Sequence, residues 1–414
     1  RLPCLDTARW SVRSSAGHLA RLQVPLARLR GNGSAMARRR SRRWALLAAG
    51  WGPAAGASLA PFSTAEYQAL LDRLPVMRAD YSLKAENWLG PPRTWVLPAF
   101  LARFDWVLDH TDWAHRDPDT YAVTKRYVLT EMTPEHQRRS NPRTIFASPF
   151  AARRIVMSAW RSFEPTPSRV LVLAGSDQLL SDSLGRTPNE RNAVVFELQK
   201  YFRAIFYEAK DIEVEGIRAM PIGLSEHYLR QQGVAESAAA AIAAADIQEK
   251  PRSVLLAGGG YSDFSDPASV GAFGDARALA VENRHSARAW AASPVAVAAG
   301  VEMRSVDRSQ WWGELARYRF LISPWGDGIQ SPKTIEALLV LTVPIVQRGA
   351  FPVFDELLRI GFPLAVVDDW SEITPARLSH WWQTLSPRLY QFRQSCLNTT
   401  GYWRFVTSGD AACR

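Results

Sequence analysis

Short apolar runs alternate with helical segments through the second half of the chain, and this alternation constrains the fold more than any other feature. Strands are predicted at 253–260, 301–304, 319–323, 343–346 and 363–367. Helices are predicted at 275–291, 309–317, 332–341, 354–360 and 375–385. Strands that alternate with helices form a parallel sheet, because each helix returns the chain to the start of the next strand. The sequence therefore predicts an α/β fold for this half.

The first half carries the same kinds of element less regularly. Helices are predicted at 61–80 and 189–209, and strands at 143–149, 169–174 and 217–224. An alanine-rich segment, 231–251, is predicted to bridge two domains. We therefore expect an α/β domain at 61–235, a second one at 250–390 and a C-terminal tail at 391–414. Two such domains leave a cleft at the carboxyl ends of their strands, where ligands bind.

The positive charge of the chain is confined to its first residues. The formal net charge is +10, and residues 1–43 contain eleven arginines, no lysine and one acid, Asp6. This head accounts for the whole excess, so the remainder of the chain is neutral. A neutral folded part has no basic surface for a phosphate backbone, and we expect no nucleic-acid partner.

The basic head, 1–60, has the features of a targeting segment. Met36 is followed by ARRRSRR, an apolar run and the small residues Ala55–Ala57, which is the order of a signal peptide. The run is short and broken by Gly and Pro, whereas a transmembrane helix needs about 20 apolar residues. A cleaved signal and a weak signal-anchor both fit, and the second would attach the chain to a membrane. A transit peptide before Met36 and a disordered basic tail are the alternatives.

Two features near the end of the chain favour the secretory pathway, with the Golgi or the ER as the expected location. Cys396 and Cys413 could pair in an oxidising compartment, and Asn398-Thr399-Thr400 is an acceptor for N-glycosylation. No spacing of Cys and His resembles a zinc site. An organelle reached by a transit peptide remains the alternative location.

The most patterned stretch is FLISPWGDGIQSPKTIEALLVLTVPIV, Phe320–Val346, which predicts a strand, a glycine loop, a helix and a strand. Gly326 and Gly328 permit positive φ and let a ligand approach the backbone. Ser331 is a good N-cap before a proline, so a helix is predicted to begin there. The free N–H groups and positive dipole end of that helix favour an anion, and Lys333 adds a cation.

Glu336 lies one turn into the same helix and can accept hydrogen bonds from hydroxyl groups. A phosphate at the helix start with Glu336 on a ribose fits this spacing. The structural alternative is a capped helix after a tight turn, in which Glu336 pairs with Lys333 at i, i+3. A dinucleotide fold is a further alternative, because residues 326–331 approach G-x-G-x-x-G. The third glycine is missing, however, and the next strand ends at Gln347-Arg348 without an acidic ribose ligand.

The segment YRFLISPWGDGIQSPKTIEALLVLTVPIV resembles the donor-binding segment of exostosin-like glycosyltransferases of the GT-B class. Those proteins carry a strand, a P-x-G loop, a basic residue, EAL, a short spacer and IPV. The matching residues here are Pro324, Gly326, Lys333, Glu336-Ala337-Leu338 and Val343-Pro344-Ile345. The resemblance covers about Arg277–Trp382. It implies two Rossmann-like domains of GT-B type that face each other across a cleft, with the acceptor on the first and the nucleotide sugar on the second.

The resemblance also implies roles for individual residues. Glu336 would hold the ribose of a UDP- or GDP-linked sugar, while Lys333 and the loop residues Gly326, Asp327 and Gly328 would face the diphosphate, next to Ser331. The implied function is transfer of that sugar to a glycan or glycoprotein acceptor, with no further cofactor and no metal. The chain departs from the family in having lysine at 333, where arginine is usual, and LVLT in place of a glycine-containing spacer.

Four further candidates lie at predicted strand ends or helix starts. Gly258 follows the first strand of the second half and Arg277 begins the next helix, so both could contact the donor. Asp177 and His227 lie where strands of the first half end, and either could take the acceptor proton in an inverting transfer. The alternative for Gly258 is an ordinary turn, and the alternative for Arg277 is a solvated surface position. Asp177 and His227 could each be an N-cap or a surface group.

The polar segment 109–119 contains two His and the D-x-D spacing Asp117-Pro118-Asp119 that metal-dependent GT-A transferases use. No apolar strand of useful length leads directly into this segment, so we predict a polar loop and no metal site. The tryptophan pairs 311–312 and 381–382 could stack on sugar rings, with one member of each pair in the core.

Two other functions remain open at this level. A non-catalytic carbohydrate-binding homologue would keep the tryptophans but would not need a nucleotide. An NADP-type oxidoreductase is suggested by the glycine loop and Arg348.

Overall fold

Two sheets with parallel strands organise the chain in this computed structural model, which shows a mixed α/β protein consistent with a Rossmann-like fold. Both sheets belong to one compact unit, Leu59–Arg414. The structure describes residues 64–78, 89–90, 94–95, 99–108, 112–116, 123–128, 141–185, 187–231, 233–258, 275–326 and 328–408. The targeting segment predicted at 1–60 therefore lies outside the described residues.

The first sheet has seven strands in the order β10-β9-β8-β7-β4-β5-β6. Its strands are β4 (Trp106–Leu108), β5 (Asp112–Arg116), β6 (Val123–Val128), β7 (Thr144–Ala147), β8 (Arg169–Leu173), β9 (Phe202–Tyr207) and β10 (Ile217–Ala219). Strand β4 and strands β7 to β10 run parallel, and β5 and β6 extend the sheet as antiparallel strands. All five residues of β8 are buried, which explains why its apolar run was recognisable in the sequence.

The second sheet has five parallel strands in the order β13-β12-β14-β15-β16. They are β12 (Arg252–Gly258), β13 (Val301–Ser305), β14 (Tyr318–Ile322), β15 (Val343–Gln347) and β16 (Ala365–Val367). The five strands predicted for this half are confirmed. The chain moves from β12 to β13 on one side and then crosses to β14 on the other, so the order reverses between β12 and β14. Such a switch point leaves a crevice at the carboxyl ends of the strands.

Two small two-stranded sheets complete the strands: β1 (Val76–Arg78) with β11 (Leu224–Ser225), and β2 (Leu89–Gly90) with β3 (Thr94–Trp95). The described helices are α1 (Thr64–Arg73), α2 (Ala152–Ser162), α3 (Pro188–Gln199), α4 (Glu226–Leu229), α5 (Val234–Ala244), α6 (Asp275–Ala291), α7 (Pro294–Ala298), α8 (Arg308–Leu315), α9 (Pro332–Leu339), α10 (Val353–Arg359), α11 (Pro375–Ser395) and α12 (Thr399–Ser408). Among these described helices, none has both the length and the apolar character that a membrane crossing requires.

Three predicted elements of the first half are wrong in part. The helix predicted at 61–80 ends at Arg73, and Val76–Arg78 forms β1 instead. The helix predicted at 189–209 ends at Gln199, and Phe202–Tyr207 forms β9 instead. This segment is rich in aromatic and apolar residues and pairs with strands on both sides, so tertiary pairing overrides its helical period. The strand predicted at 217–224 is two short strands in different sheets, because Pro221 lacks an N–H for a continuous ladder.

The polar segment 109–119 is not only a loop as predicted, because Asp112–Arg116 forms β5. Strand β5 pairs antiparallel with both β4 and β6. An antiparallel strand can follow its neighbour after a short turn. The lack of a long apolar run before this segment therefore does not argue against a strand. The D-x-D at 117–119 lies outside the described residues.

The predicted tail, 391–414, contains structure that belongs to the core. Helix α11 continues to Ser395, and α12 packs on the first sheet. The rings of Phe405 and Phe206 are 5.3 Å apart, and the Tyr402 hydroxyl donates to the Ile222 carbonyl oxygen at 2.7 Å. Tyr402, Phe405 and Val406 form an apolar stripe at helical spacing, which anchors the end of the chain to the first half.

Asn398 caps helix α12. Its Oδ1 accepts from the Gly401 N–H at 2.8 Å, and its Nδ2 donates to the Gln394 carbonyl oxygen at 2.6 Å. The amide nitrogen that glycosylation would modify is thus used inside the structure. The neighbouring Cys396 is buried and disulfide-bonded, and the other two cysteines, Cys4 and Cys413, lie outside the described residues.

Direct contacts join the first half (64–235) to the second half (252–395). The buried side chain of Gln330 accepts from the Ile222 N–H at 3.0 Å and donates to the carbonyl oxygens of Glu208 and Met220 at 2.6 and 2.8 Å. Glu356, on α10, forms a buried ion pair with Lys210 and accepts from the backbone N–H of Ala219. The glycine loop before Gln330 is therefore fixed between the two sheets.

Candidate functional site

A cavity of about 370 Å³ opens at the switch point of the second sheet. The described residues of its second-half wall come from the ends of β12 and β13 and the first turns of α8 and α9. The first half contributes Leu224, Ser225, Tyr228, Leu229 and Val234, from β11 to α5. A ligand in this cavity would contact both halves of the protein.

Three of the predicted site residues, Ser331, Lys333 and Glu336, line this cavity. Ser331 has an extended backbone and precedes Pro332 at the first helical position of α9, as predicted. The buried residues Ile335 and Leu338 turn the other face of α9 into the core. Thr187, Ser293 and Thr374 cap other helices through their side chains, but the Ser331 side chain makes no capping bond.

Glu336 is 8% exposed, and its Oε2 accepts a hydrogen bond from the indole N–H of Trp311 at 2.7 Å. Burial raises the pKa of Glu336, while the Trp311 N–H and the Lys333 charge oppose that rise. The alternative in which Glu336 and Lys333 simply pair on the helix surface is not the arrangement in the structure. The hydrogen-bonding partner of Glu336 comes from helix α8 instead.

Lys333 is half-buried, and its ammonium lies 5.5 Å from the centre of the Trp311 ring. Burial lowers the pKa of Lys333, and the charges of Arg284, Arg288 and Arg308 lower it further, whereas Glu336 raises it. Four cations thus act on a region that has one buried carboxylate. This imbalance favours an anionic ligand.

The three arginines were not among the residues predicted for the site. Arg308 begins α8 directly after β13, lines the cavity and lies with its guanidinium 5.2 Å from the centre of the Tyr228 ring. Arg284 and Arg288 lie on α6, and Arg284 Nε donates to the Trp325 carbonyl oxygen at 3.0 Å. The only sequence signal for Arg308 was its place at a helix start after a strand.

The glycine loop has a different role from the one expected. Neither Gly326 nor Gly328 has a positive φ, and among the described residues of the loop the left-handed one is Ile329, with φ of 73°. A Cβ at Gly326 would overlap the carbonyl oxygen of Gln330, and a Cβ at Gly328 would lie 2.8 Å from the Cα of Asp177. Both glycines therefore allow the loop to pack against protein, and neither is among the described residues that line the cavity.

The close packing at Gly328 brings Asp177, a candidate base, against the predicted donor loop. Asp177 is half-buried in the loop after β8 and is not among the described lining residues of the cavity. His227 lies on α4 beside Tyr228, which does line it.

The remaining predicted site residues are placed only in part. Gly258 is the last residue of β12, and its neighbour Ala257 lines the cavity. Arg277 lies in the first turn of α6. The side chains of His227 and Arg277, and the whole of Asp327, lie outside the described residues.

The tryptophan pairs divide between cavity and scaffold. Trp311 is half-buried and Trp312 is 2% exposed, and both line the cavity. Trp381 and Trp382 are half-buried on α11, with the guanidinium groups of Arg377 and Arg319 at 5.1 and 5.6 Å from their ring centres.

The geometry bears on two alternatives, an NADP-type site at Arg348 and a metal site. Arg348, the residue that suggested an NADP-type site, pairs with Asp355 and with Asp368, the latter at 2.9 Å. Over the part of the chain that the structure describes, no group of three or more His, Cys, Asp and Glu could hold a metal ion.

Fold and site together define a mixed α/β protein with a cavity at the switch point of a parallel sheet, lined by Lys333, Arg308 and Glu336. A scan against protein-family models finds no match, and a search of curated proteins finds none either.

Proposed function

We propose that this protein is a glycosyltransferase of the exostosin-like, GT-B type that transfers a sugar from a nucleotide sugar to a glycan or glycoprotein acceptor. The observation that carries the proposal is the convergence of Lys333, Arg308 and Glu336 with the start of α9 in one cavity. A nucleotide sugar has a diphosphate and a ribose, and the cavity offers a complementary group for each.

The diphosphate would lie at the first turn of α9. Backbone N–H groups and the positive dipole end favour phosphate there, and Lys333 and Arg308 add two charges from separate helices. In the transfer, an acceptor oxygen bonds to the anomeric carbon while the bond from that carbon to the diphosphate oxygen breaks. Negative charge develops on the leaving diphosphate, and fixed positive groups nearby lower the barrier.

The ribose would lie against Glu336. Its Oε2 is held by Trp311, which leaves Oε1 for a sugar hydroxyl. The base would then occupy the apolar part of the cavity, between Leu229 and Val234 of the first half and Val306 of the second. Either a UDP- or a GDP-linked sugar is compatible with this proposal.

The acceptor would approach from the first half, where Asp177 and His227 remain the candidates for the base that takes its proton. Asp177 packs against the loop at Gly328, and His227 precedes the lining residue Tyr228, so the described contacts favour neither of the two. The proposal includes the two-domain arrangement with an acceptor side at 61–235 and a donor side at 250–390. The lining of the cavity by both halves supports that arrangement.

The proposed location is the secretory pathway, in the Golgi or the ER, with attachment to a membrane through segment 1–60. The disulfide at Cys396 supports an oxidising compartment. The N-glycosylation sequence gives no support, because Asn398 is used as a helix cap.

A non-catalytic carbohydrate-binding protein is the second candidate function, since Trp311 presents a partly exposed ring to the cavity. The charge imbalance around Lys333 favours the nucleotide-dependent enzyme, because a neutral glycan needs no cluster of cations. An NADP-type oxidoreductase is supported less, since Arg348 is engaged by two carboxylates.

Calorimetric titration of the full chain with UDP, GDP, CMP and NADP tests the proposal. We expect a nucleoside diphosphate to bind, and Lys333→Ala to weaken that binding at least tenfold. Lys200→Ala is the matched control. Lys200 is an exposed lysine that pairs with Glu197 of α3, and neither residue is among the described residues that line the cavity. If neither UDP nor GDP binds, the proposal is rejected. Binding of a nucleoside diphosphate without transfer from any nucleotide sugar would reject the catalytic part of the proposal, whereas binding of a glycan but of no nucleotide would favour the carbohydrate-binding alternative.

A further inference from the structure

Trp311 connects the two charged groups of the cavity. It lies on α8, between β13 and β14, and reaches α9 through two contacts on different parts of its indole. The N–H donates to Glu336 Oε2 at 2.7 Å, and the ring face lies 5.5 Å from the Lys333 ammonium. Among the described residues at the cavity, Trp311 is thus in contact with both the cation and the carboxylate of α9.

The chemistry of an indole makes these contacts directional. An indole N–H can donate but cannot accept, so the Glu336 oxygen that it holds must be an acceptor. The ring face carries negative potential and attracts the ammonium. The two contacts therefore fix which oxygen of Glu336 is occupied and hold Lys333 beside it.

We propose that Trp311 is a positioning residue that makes this site selective for ribonucleotides over deoxyribonucleotides, because its N–H fixes Glu336 so that Oε1 alone meets the sugar hydroxyls. This inference rests on the proposed function of the cavity. The inference adds Trp311, on α8, as a specificity-determining residue to the groups of α9. A freely rotating carboxylate would satisfy its own hydrogen bonds in several orientations and would discriminate less between sugars.

Charged groups from three helices surround this contact. Lys333 lies on the same helix as Glu336, Asp307 and Arg308 line the cavity at the start of α8, and Arg284 and Arg288 act on Lys333 from α6. The cationic groups among them would bear on the phosphates of a nucleotide in this cavity. Trp311 is the described hydrogen-bond partner that occupies one oxygen of Glu336, so we expect sugar selectivity and overall affinity to respond to different variants.

The test compares UDP and GDP with their 2′-deoxy and 3′-deoxy analogues by calorimetry on the full chain. A hydrogen bond to a charged group contributes about 1.4 kcal/mol or more, which is a tenfold ratio. We expect the wild-type protein to bind the ribonucleotide about tenfold more tightly than at least one deoxy analogue. Trp311→Phe keeps a ring beneath Lys333 but removes the N–H, and it should reduce that ratio to about twofold or less.

Trp381→Phe is the matched control, because Trp381 is also half-buried with a cation over its ring but lies on α11. This variant should keep the wild-type ratio. An equal loss of affinity for ribo- and deoxynucleotides in Trp311→Phe would show a merely structural role and overturn the inference. An unchanged ratio would overturn it as well.

Tryptophan-selective ¹⁵N labelling gives a second measurement that does not need Trp311→Phe to fold. Glu336→Gln should shift one indole N–H resonance, and the ribonucleotide should shift the same resonance. If no indole signal responds to both changes, the inference is rejected. Failure of the proposed function has a different outcome, since the wild-type protein would then bind none of the nucleotides.

Discussion

Gln330 offers the most direct test of how the two halves are joined. Its side chain is 4% exposed and makes three hydrogen bonds to backbone groups of the first half, at Glu208, Met220 and Ile222. We consider Gln330→Met, which keeps the length of the side chain and fills the same space. The substitution removes the donors and the acceptor without opening a large cavity.

The expected cost follows from what remains after the change. Each lost hydrogen bond contributes about 0.5–1.5 kcal/mol, and a buried group without a partner costs about 1–3 kcal/mol. Two carbonyl oxygens and one N–H would lose their bond to Gln330, and the carbonyl oxygens have a second lone pair that can be satisfied elsewhere. We therefore expect Gln330→Met to lower the free energy of unfolding by about 3 kcal/mol.

Urea denaturation of the full chain measures this change, with circular dichroism as the signal. Gln391→Met, on the exposed face of α11, is the control and should stay within about 0.5 kcal/mol of wild type. A loss below about 1 kcal/mol for Gln330→Met would refute the view that this side chain joins the halves. A loss with a reduced m value would indicate that the halves no longer unfold together.

Three further predictions concern other parts of the molecule. The Lys250 ammonium donates to the carbonyl oxygens of Ala316 and Val340 and to the Thr342 hydroxyl, and burial lowers its pKa from 10.5 to about 7. Because the unfolded chain then binds more protons, stability should rise from pH 7 to 10 in urea titrations, and Lys250→Met should remove that increment. Asn398→Ala should cost about 0.5–2 kcal/mol in thermal unfolding through the lost cap, while Asn398→Asp should cost less. Sugar transfer should continue in EDTA, since Lys333 supplies positive charge; loss restored by Mn²⁺ would implicate the D-x-D at 117–119.

The second half could be predicted from sequence because its central strands β14 and β15 are almost fully buried. Residues 343–346 of β15 are all buried, so the strand is a continuous apolar run that stands out between a helix and a turn. The first half could be predicted less well for a related reason. Its β9 begins with a buried, an exposed and a half-buried residue and follows α3 after two residues, so no continuous apolar run separates the strand from the helix in the sequence.

The candidate site divides in the same way. Ser331, Lys333 and Glu336 lie within six consecutive residues of the sequence, so local spacing was enough to group them. Trp311 and Arg308 come from the preceding crossover helix, and their arrival depends on β13 lying beside β12. Hydrophobic periodicity does not specify the order of strands in a sheet, and so these residues could not be placed in advance.

Strand order also indicates at which helix N-terminus an anion would bind. Helices α8 and α9 both begin at the cavity, because each follows a strand near the switch point. Asp307 precedes α8 and places a carboxylate at its positive dipole end, whereas α9 begins with Ser331, whose side chain makes no capping bond. An anion is stabilised where the dipole end has no negative group of its own. A diphosphate is therefore expected at α9, next to Lys333, with Arg308 reaching it across the cavity.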